Sequence, residues 1–204
     1  KAVTLPEHFR TGGYEAYGGG KIFHALSWIT DGYGKQQNEA KLWDRYWPSA
    51  DSPMPDPQWP KGAQAKRGTN GYLYSKPIAV GKSTEGRPPH FFDWAPDSQS
   101  ESGTADHKVV DWAAGELRKP HKQPFFHAVG IFRPHIPWYA PKKYFALYPK
   151  KEVFLPKIKK NDLEDVPKPG QSGIRKKWHE WILKNDEWRG AVRGYLASIS
   201  FADA

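Results

Sequence analysis

The sequence predicts an α/β fold, a mostly parallel sheet flanked by helices, on three observations. Residues 14–19 have the form of a short strand, and an amphipathic helix opens at Thr104 and ends before Pro120. Residues 125–131 are then a continuous apolar run interrupted only by His127, the pattern of a strand buried on both faces. A strand, a helix and a second strand in that order define the class.

Each element has its own signal. Thr4-Leu5-Pro6-Glu7 has the capping-box form, with Pro in the first turn where no amide hydrogen is needed. Phe9 continues the apolar face of that short helix, and Gly12-Gly13 supplies the left-handed residue that ends it. The strand at 14–19 leads into Gly20-Lys21-Ile22-Phe23-His24, at the end of a strand where α/β sheets bind ligands. Residues 25–101 are rich in Pro, Gly, Trp and Tyr with little periodicity, and Pro48, Pro53, Pro55, Pro57 and Pro60 keep interrupting any helix. Their aromatic content predicts a structured excursion, with Trp28, Trp43, Trp47, Trp59 and Trp94 in core packing rather than stacked on sugars.

Thr104 is the expected N-cap of the second helix, whose face is traced by Val109, Val110, Trp112, Ala113 and Leu117. Residues 141–148 suggest another short helix, and 150–173 a polar, Lys-rich connection. Trp188, Val192, Tyr195, Leu196 and Ile199 fall at helical spacing and predict a final helix with that face in the core.

Length and composition bound the function. A chain of 204 residues with 38% hydrophobic and 15% aromatic content is long enough for one domain with a packed core. It opens on Lys1 with no initiator Met, and its last apolar periodicity is still running at Ala204, so an interior piece of a longer protein is expected. A net charge of +9 favours polyanionic partners, whether nucleic acid, acidic lipid, or sulfated and phosphorylated sugars; a solvated basic surface is the alternative. No run approaches the roughly 18 apolar residues of a membrane span. The absence of Cys removes disulfides and thiolate metal sites, so redox arguments do not assign a compartment. Nothing in the sequence specifies an oligomeric state.

Two clusters place cationic or titratable groups directly after a predicted strand. One is Lys21 with His24. The other is Arg133-Pro134-His135-Ile136-Pro137, where two prolines restrict the backbone around one imidazole. Cleaving a sulfate or phosphate ester requires anionic oxygens to be neutralised and a poor leaving group to be protonated, tasks a Lys and a His can divide. A solvated lysine and loop histidines held for shape are the structural alternatives. His127, within an apolar strand, is expected to be a satisfied core histidine rather than a ligand, and His8, His90, His107, His121 and His179 to be surface residues without a paired group. No His/Asp/Glu trio sits at metal-ligand spacing.

Three segments carry a resemblance. Thr4-Leu5-Pro6-Glu7-His8-Phe9 followed by Gly12-Gly13-Tyr14 and Gly20-Lys21-Ile22-Phe23-His24 resembles the sulfatase family, in which a similar helix feeds a Gly-Lys-x-x-His element. The run from Pro124 to Pro137, with Pro141-Lys142-Lys143-Tyr144-Phe145 and Leu147-Tyr148-Pro149, is similar to the iduronate-2-sulfatase branch. Tyr195-Leu196-Ala197-Ser198-Ile199-Ser200 with Asp203 resembles the helix that precedes the second half of the family's metal site. The matches cover under half of the chain.

The resemblance implies an interior, incomplete part of one alkaline-phosphatase-like sulfatase catalytic domain. It further implies a formylglycine nucleophile, a calcium ion, an extracytoplasmic location, and a sulfated sugar or polysaccharide, such as a glycosaminoglycan, as substrate. The formylglycine signature, Cys or Ser followed by Pro two residues on and Arg four residues on, is absent, and the metal ligands are expected outside residues 1–204. Carry-over is therefore limited to three positions. Lys21 would contact sulfate and nucleophile oxygens, His24 would act as base on the formylglycine diol, and His135 would protonate the leaving alcohol, the two histidine roles being interchangeable. The isolated chain is expected to be inactive. Other readings are a phosphoesterase of the same superfamily, and a non-catalytic module holding polyanions through Lys142, Lys143, Lys150 and Lys151. No nucleic-acid motif is present.

Overall fold

The computed structural model describes residues 3–22, 42–48, 94–97, 100–171 and 176–204. The chain is α/β, as its sequence predicts. Helix α1 (Leu5–Thr11) opens with the capping box in place: the Thr4 side chain accepts from the Glu7 amide, and the Glu7 carboxylate accepts from the Thr4 amide at 2.9 Å. Gly13, at φ +84°, turns the chain out of α1 into β1 (Glu15–Gly20).

Strand β1 is the centre of a parallel three-stranded sheet, between β2 (Arg45–Trp47) and β4 (Phe125–Gly130). The β1–β4 ladder pairs Glu15 with Phe125 and continues in register to Gly20 with Gly130. A second parallel pair joins β3 (Trp94–Asp97) to β5 (Trp138–Pro141). Thus residues 25–101 supply at least two strands, which their proline-broken pattern does not announce. Trp43 and Trp94 are buried, and Trp47 stacks on Trp112 at 6.2 Å between ring centroids, as core packing of these three requires; Trp28 and Trp59 lie outside the described residues.

The two faces of the three-stranded sheet are filled differently. Ala16, Leu42, Trp43 and Phe126 pack on one side, where Phe9 of α1 stacks on Phe126 at 4.4 Å. On the other side lies α2 (Ala105–Leu117), N-capped by Thr104, with Trp112 over Gly19 and Val109 beside Gly20. The buried stripe of α2 is Ala105, Asp106, Val109, Ala113 and Glu116. Val110 and Leu117, assigned to that face from the sequence, are exposed, since i and i+7 repeat on a stripe of their own. Strand β4 is half-buried rather than buried on both faces, and Val129 is 45% exposed.

Helix α3 (Lys142–Ala146) follows β5 directly, and residues 150–167 run without regular structure into the short α4 (Lys168–Gln171). Helices α5 (Lys176–Lys184) and α6 (Trp188–Asp203) complete the order. The buried face of α6 is Gly190, Ala191, Gly194, Ala197, Ser198 and Phe201, while Tyr195 and Ile199 are exposed. The apolar face expected from the sequence is therefore misplaced. The reason is steric: α6 lies so close to Trp94 and Trp138 that a Cβ at Gly194 would stand 2.5 Å from Trp94 Cβ. Large side chains cannot occupy that seam.

That seam gives a paired stability test. Gly194→Val is expected to destabilise the protein by about 1–3 kcal/mol through overpacking against Trp94. Gly115→Ala, in α2 where an added Cβ meets nothing within 4 Å, is expected to stabilise it by about 0.5–1 kcal/mol. Urea midpoints at constant m-value would measure both; equal midpoints for the two variants would contradict the packing described for α6.

Candidate functional site

The site is built where β1 and β4 end side by side. Gly20 has φ +71°, and the Lys21 amide donates to the Gly130 carbonyl at 2.6 Å, beyond the last register pair. A Cβ on Gly130 would collide with the Lys21 carbonyl, so this approach needs glycine. Tyr46 of β2 secures the same corner by donating its hydroxyl to the Gly20 carbonyl, and burial pushes the Tyr46 pKa up. The backbone of Lys21 is therefore fixed from both neighbouring strands.

Beyond β4 the chain leaves the sheet at Phe132, which is 2% exposed. Both candidate groups lie against its ring: Lys21 Nζ is 5.6 Å from the ring centroid, and the His135 imidazole centroid is 4.9 Å away. The segment is held by short bonds. The His135 amide donates to the Phe132 carbonyl at 3.0 Å, Arg133 Nε donates to the Tyr139 carbonyl at 2.6 Å, and Trp138 Nε1 donates to the Pro134 carbonyl at 2.9 Å. Both Arg133-Pro134 and Ile136-Pro137 are cis.

The imidazole tautomer follows from one contact. His135 Nδ1 lies 2.6 Å from the Ile136 carbonyl, which has no hydrogen to give, so Nδ1 carries the proton. Nε2 is then the nitrogen that gains or loses one. Among the described residues no carboxylate lies within 4.0 Å of Lys21, whereas Arg10, Arg45, Lys119 and Lys143 all have acidic partners. A cation held over an aromatic ring beside a tautomerically defined imidazole suits a tetrahedral oxyanion. His24, the third predicted site residue, lies outside the described residues.

At the opposite end of the sheet the charges are internally satisfied. Glu116, almost fully buried, accepts from Arg45 at 2.8 Å and Lys119 at 2.5 Å. Burial alone would raise its pKa, but those two bonds outweigh it and hold the carboxyl below its ordinary value. Tyr17 donates to Glu15, and burial with that carboxylate pushes its pKa up to about 12.

Two histidine expectations need correction: His121 is not a plain surface residue, since Nε2 contacts the Glu116 carbonyl at 3.1 Å and its ring lies 4.3 Å from Phe125; His107 pairs with Asp111 at 3.3 Å. Both partners come from the fold or the adjacent helical turn, where a charge reading by sequence neighbourhood alone misses them. A third expectation differs as well: His127 meets the rings of Tyr17 and Trp112 edge-on, but its buried Nε2 has no hydrogen-bond partner among the described residues, so it is not a satisfied core histidine. Lys143 is ion-paired with Glu101, which weakens the reading of Lys142 and Lys143 as an open polyanion patch.

The fold defines an α/β protein in which Lys21 and the segment of His135 follow two adjacent parallel strands, at the strand ends where such sheets bind ligands. Comparison with known proteins narrows it. The chain is 30% identical to a sulfatase of Formosa agariphila over 98% of its own length and 36% of that protein's. It is 28% identical to the iduronate 2-sulfatases of mouse and human over 74% of its length and 24% of theirs. No protein-family model matches. The chain belongs to the sulfatase family, and it spans about a third or less of the length of these relatives.

His127 provides a pH test. Burial lowers its pKa from the ordinary 6.5, so the folded state binds fewer protons than the unfolded one just below that value. Its contribution is complete above about pH 6.5 and is lost as pH falls through the lowered folded value. His127→Phe is expected to flatten the stability decline between about pH 7 and 5 relative to the parent, as read from urea midpoints at each pH. Parallel declines would contradict a neutral, desolvated His127.

Proposed function

We propose that this chain forms one wall of the active site of a longer sulfatase that hydrolyses sulfate esters, with a sulfated sugar or polysaccharide as substrate. The observation that carries the reading is that Lys21 and His135 both lie against the Phe132 ring, just beyond the joined ends of β1 and β4. On this reading residues 1–204 are an interior part of one catalytic domain, and 25–101 is the excursion that shapes substrate choice.

The roles follow from the chemistry of each group. Lys21 Nζ neutralises sulfate oxygens. His135, with Nδ1 donating to Ile136, delivers a proton from Nε2 to the departing alcohol oxygen, so that the leaving group departs neutral. His24 is assigned the complementary base role. Sulfatases typically use calcium and a formylglycine, but the residues here do not fit either group: the chain has no Cys and no Ser-x-Pro-x-Arg stretch, and the described residues contain no cluster of three metal-ligating side chains. Both groups are assigned to other parts of the longer polypeptide. No described helix is long and apolar enough to cross a membrane, and the extracytoplasmic location is inferred from the family.

In the full-length sulfatase, His135→Ala is expected to lower turnover of a sulfate ester by about 10²–10⁴-fold. Lys21→Met should lower kcat/KM by a comparable factor of about 10²–10³ through loss of charge stabilisation. Melting temperatures would verify that both variants fold. Unchanged sulfate-ester turnover in a folded His135→Ala enzyme would remove the assignment, and faster turnover of the matching phosphate ester by the parent would favour a phosphoesterase. The 204-residue chain alone, with calcium added, should show no turnover; any activity that depends on Lys21 and His135 would overturn the view that the chain is one wall only.

A further inference from the structure

The candidate histidine belongs to a segment that has already left the sheet, so something other than the ladder must aim it. The Phe132 amide, buried and past the end of β4, would be an orphan donor without a partner. Asp106, in the first turn of α2 and only 7% exposed, supplies that partner. Its Oδ1 accepts from the Phe132 amide at 2.6 Å, and its Oδ2 accepts from the Arg133 amide at 3.2 Å.

Successive amides of an extended chain point to opposite sides. For two of them to reach a single carboxylate, the backbone must turn at Phe132–Arg133, and the carboxylate's planar pair of oxygens fixes that turn. The turn in turn sets His135, whose amide bonds back to Phe132, and the Phe132 ring that lies over Lys21. Mere satisfaction of one amide would need only one acceptor.

We propose that Asp106 is a positioning residue for the His135 segment, acting through the paired Phe132 and Arg133 amides to hold the imidazole beside the sulfate-binding lysine. The inference rests on the active-site reading above and goes beyond it, because Asp106 lies in another element and acts through backbone alone.

The test uses the full-length sulfatase and a double-mutant cycle. Asp106→Ala is expected to lower kcat by about 10- to 100-fold, the scale of a small misplacement of a catalytic group, with a displaced pH profile of kcat. In a His135→Ala background the same change should have little further effect on kcat, since the group being aimed is gone. Asp106→Asn keeps an acceptor for Phe132 but turns a carboxamide NH2 donor toward the donor amide of Arg133, so an intermediate loss is expected, and this variant decides the matter where Asp106→Ala does not fold. The inference is overturned by unchanged kcat and pH profile in a folded variant, or by the full loss persisting in the His135→Ala background. If His135→Ala itself leaves turnover unchanged, the active-site reading fails instead, and the two failures are distinguished.

Discussion

The parallel ladder between β1 and β4 is the constraint on which the remaining structure depends. It joins residues 15–20 to residues 125–130 across more than a hundred positions, so its closure entropy must be offset by packing on both faces. Phe126, Trp43 and Phe9 cover one face, and Trp112 with the rest of α2 covers the other. The final pair, Gly20 with Gly130, lets the backbones close enough for the Lys21 amide to reach across. A side chain at either position would separate the strand exits, and with them Lys21 and the segment that bears His135.

The two ends of this sheet treat charge in opposite ways. At the N-terminal end, Glu116 is enclosed by Arg45 and Lys119, so the positive charges there are already matched. At the C-terminal end, Lys21 rests on an aromatic ring, and no carboxylate within the described residues pairs with it. Net positive charge spread over a surface says little about function. An anion gains more from a cation that has no competing carboxylate, and a buried ring beside it lowers the local dielectric and strengthens the attraction.

Much of this arrangement is legible in the sequence where a local rule and the tertiary structure agree. The capping box at Thr4, the Thr104 N-cap and the apolar run of β4 each have a self-contained signal. The short strands β2, β3 and β5 do not: three or four residues containing Trp, Tyr and Pro lack a period, and they become strands only because a parallel neighbour supplies bonds. The face of α6 was misleading for a related reason. Hydrophobic periodicity follows side-chain size, whereas the seam against Trp94 selects Gly and Ala. At the site, Lys21 and His135 stand out through their position after strands and through family resemblance. Asp106 has no such signal, because an acid in the first turn of a helix is what the helix dipole favours anyway.

Phe132 connects the geometry to the chemistry. The Phe132 ring, with centroid distances of 5.6 Å to Lys21 Nζ and 4.9 Å to the imidazole, brings both groups to the same strand exits. In the proposed roles the lysine holds charge while the imidazole exchanges a proton. The Ile136 carbonyl fixes the proton on Nδ1, and the bonds from the Phe132 and Arg133 amides to Asp106 hold the turn that precedes the imidazole. The division of labour proposed for this site therefore rests on the backbone path out of β4.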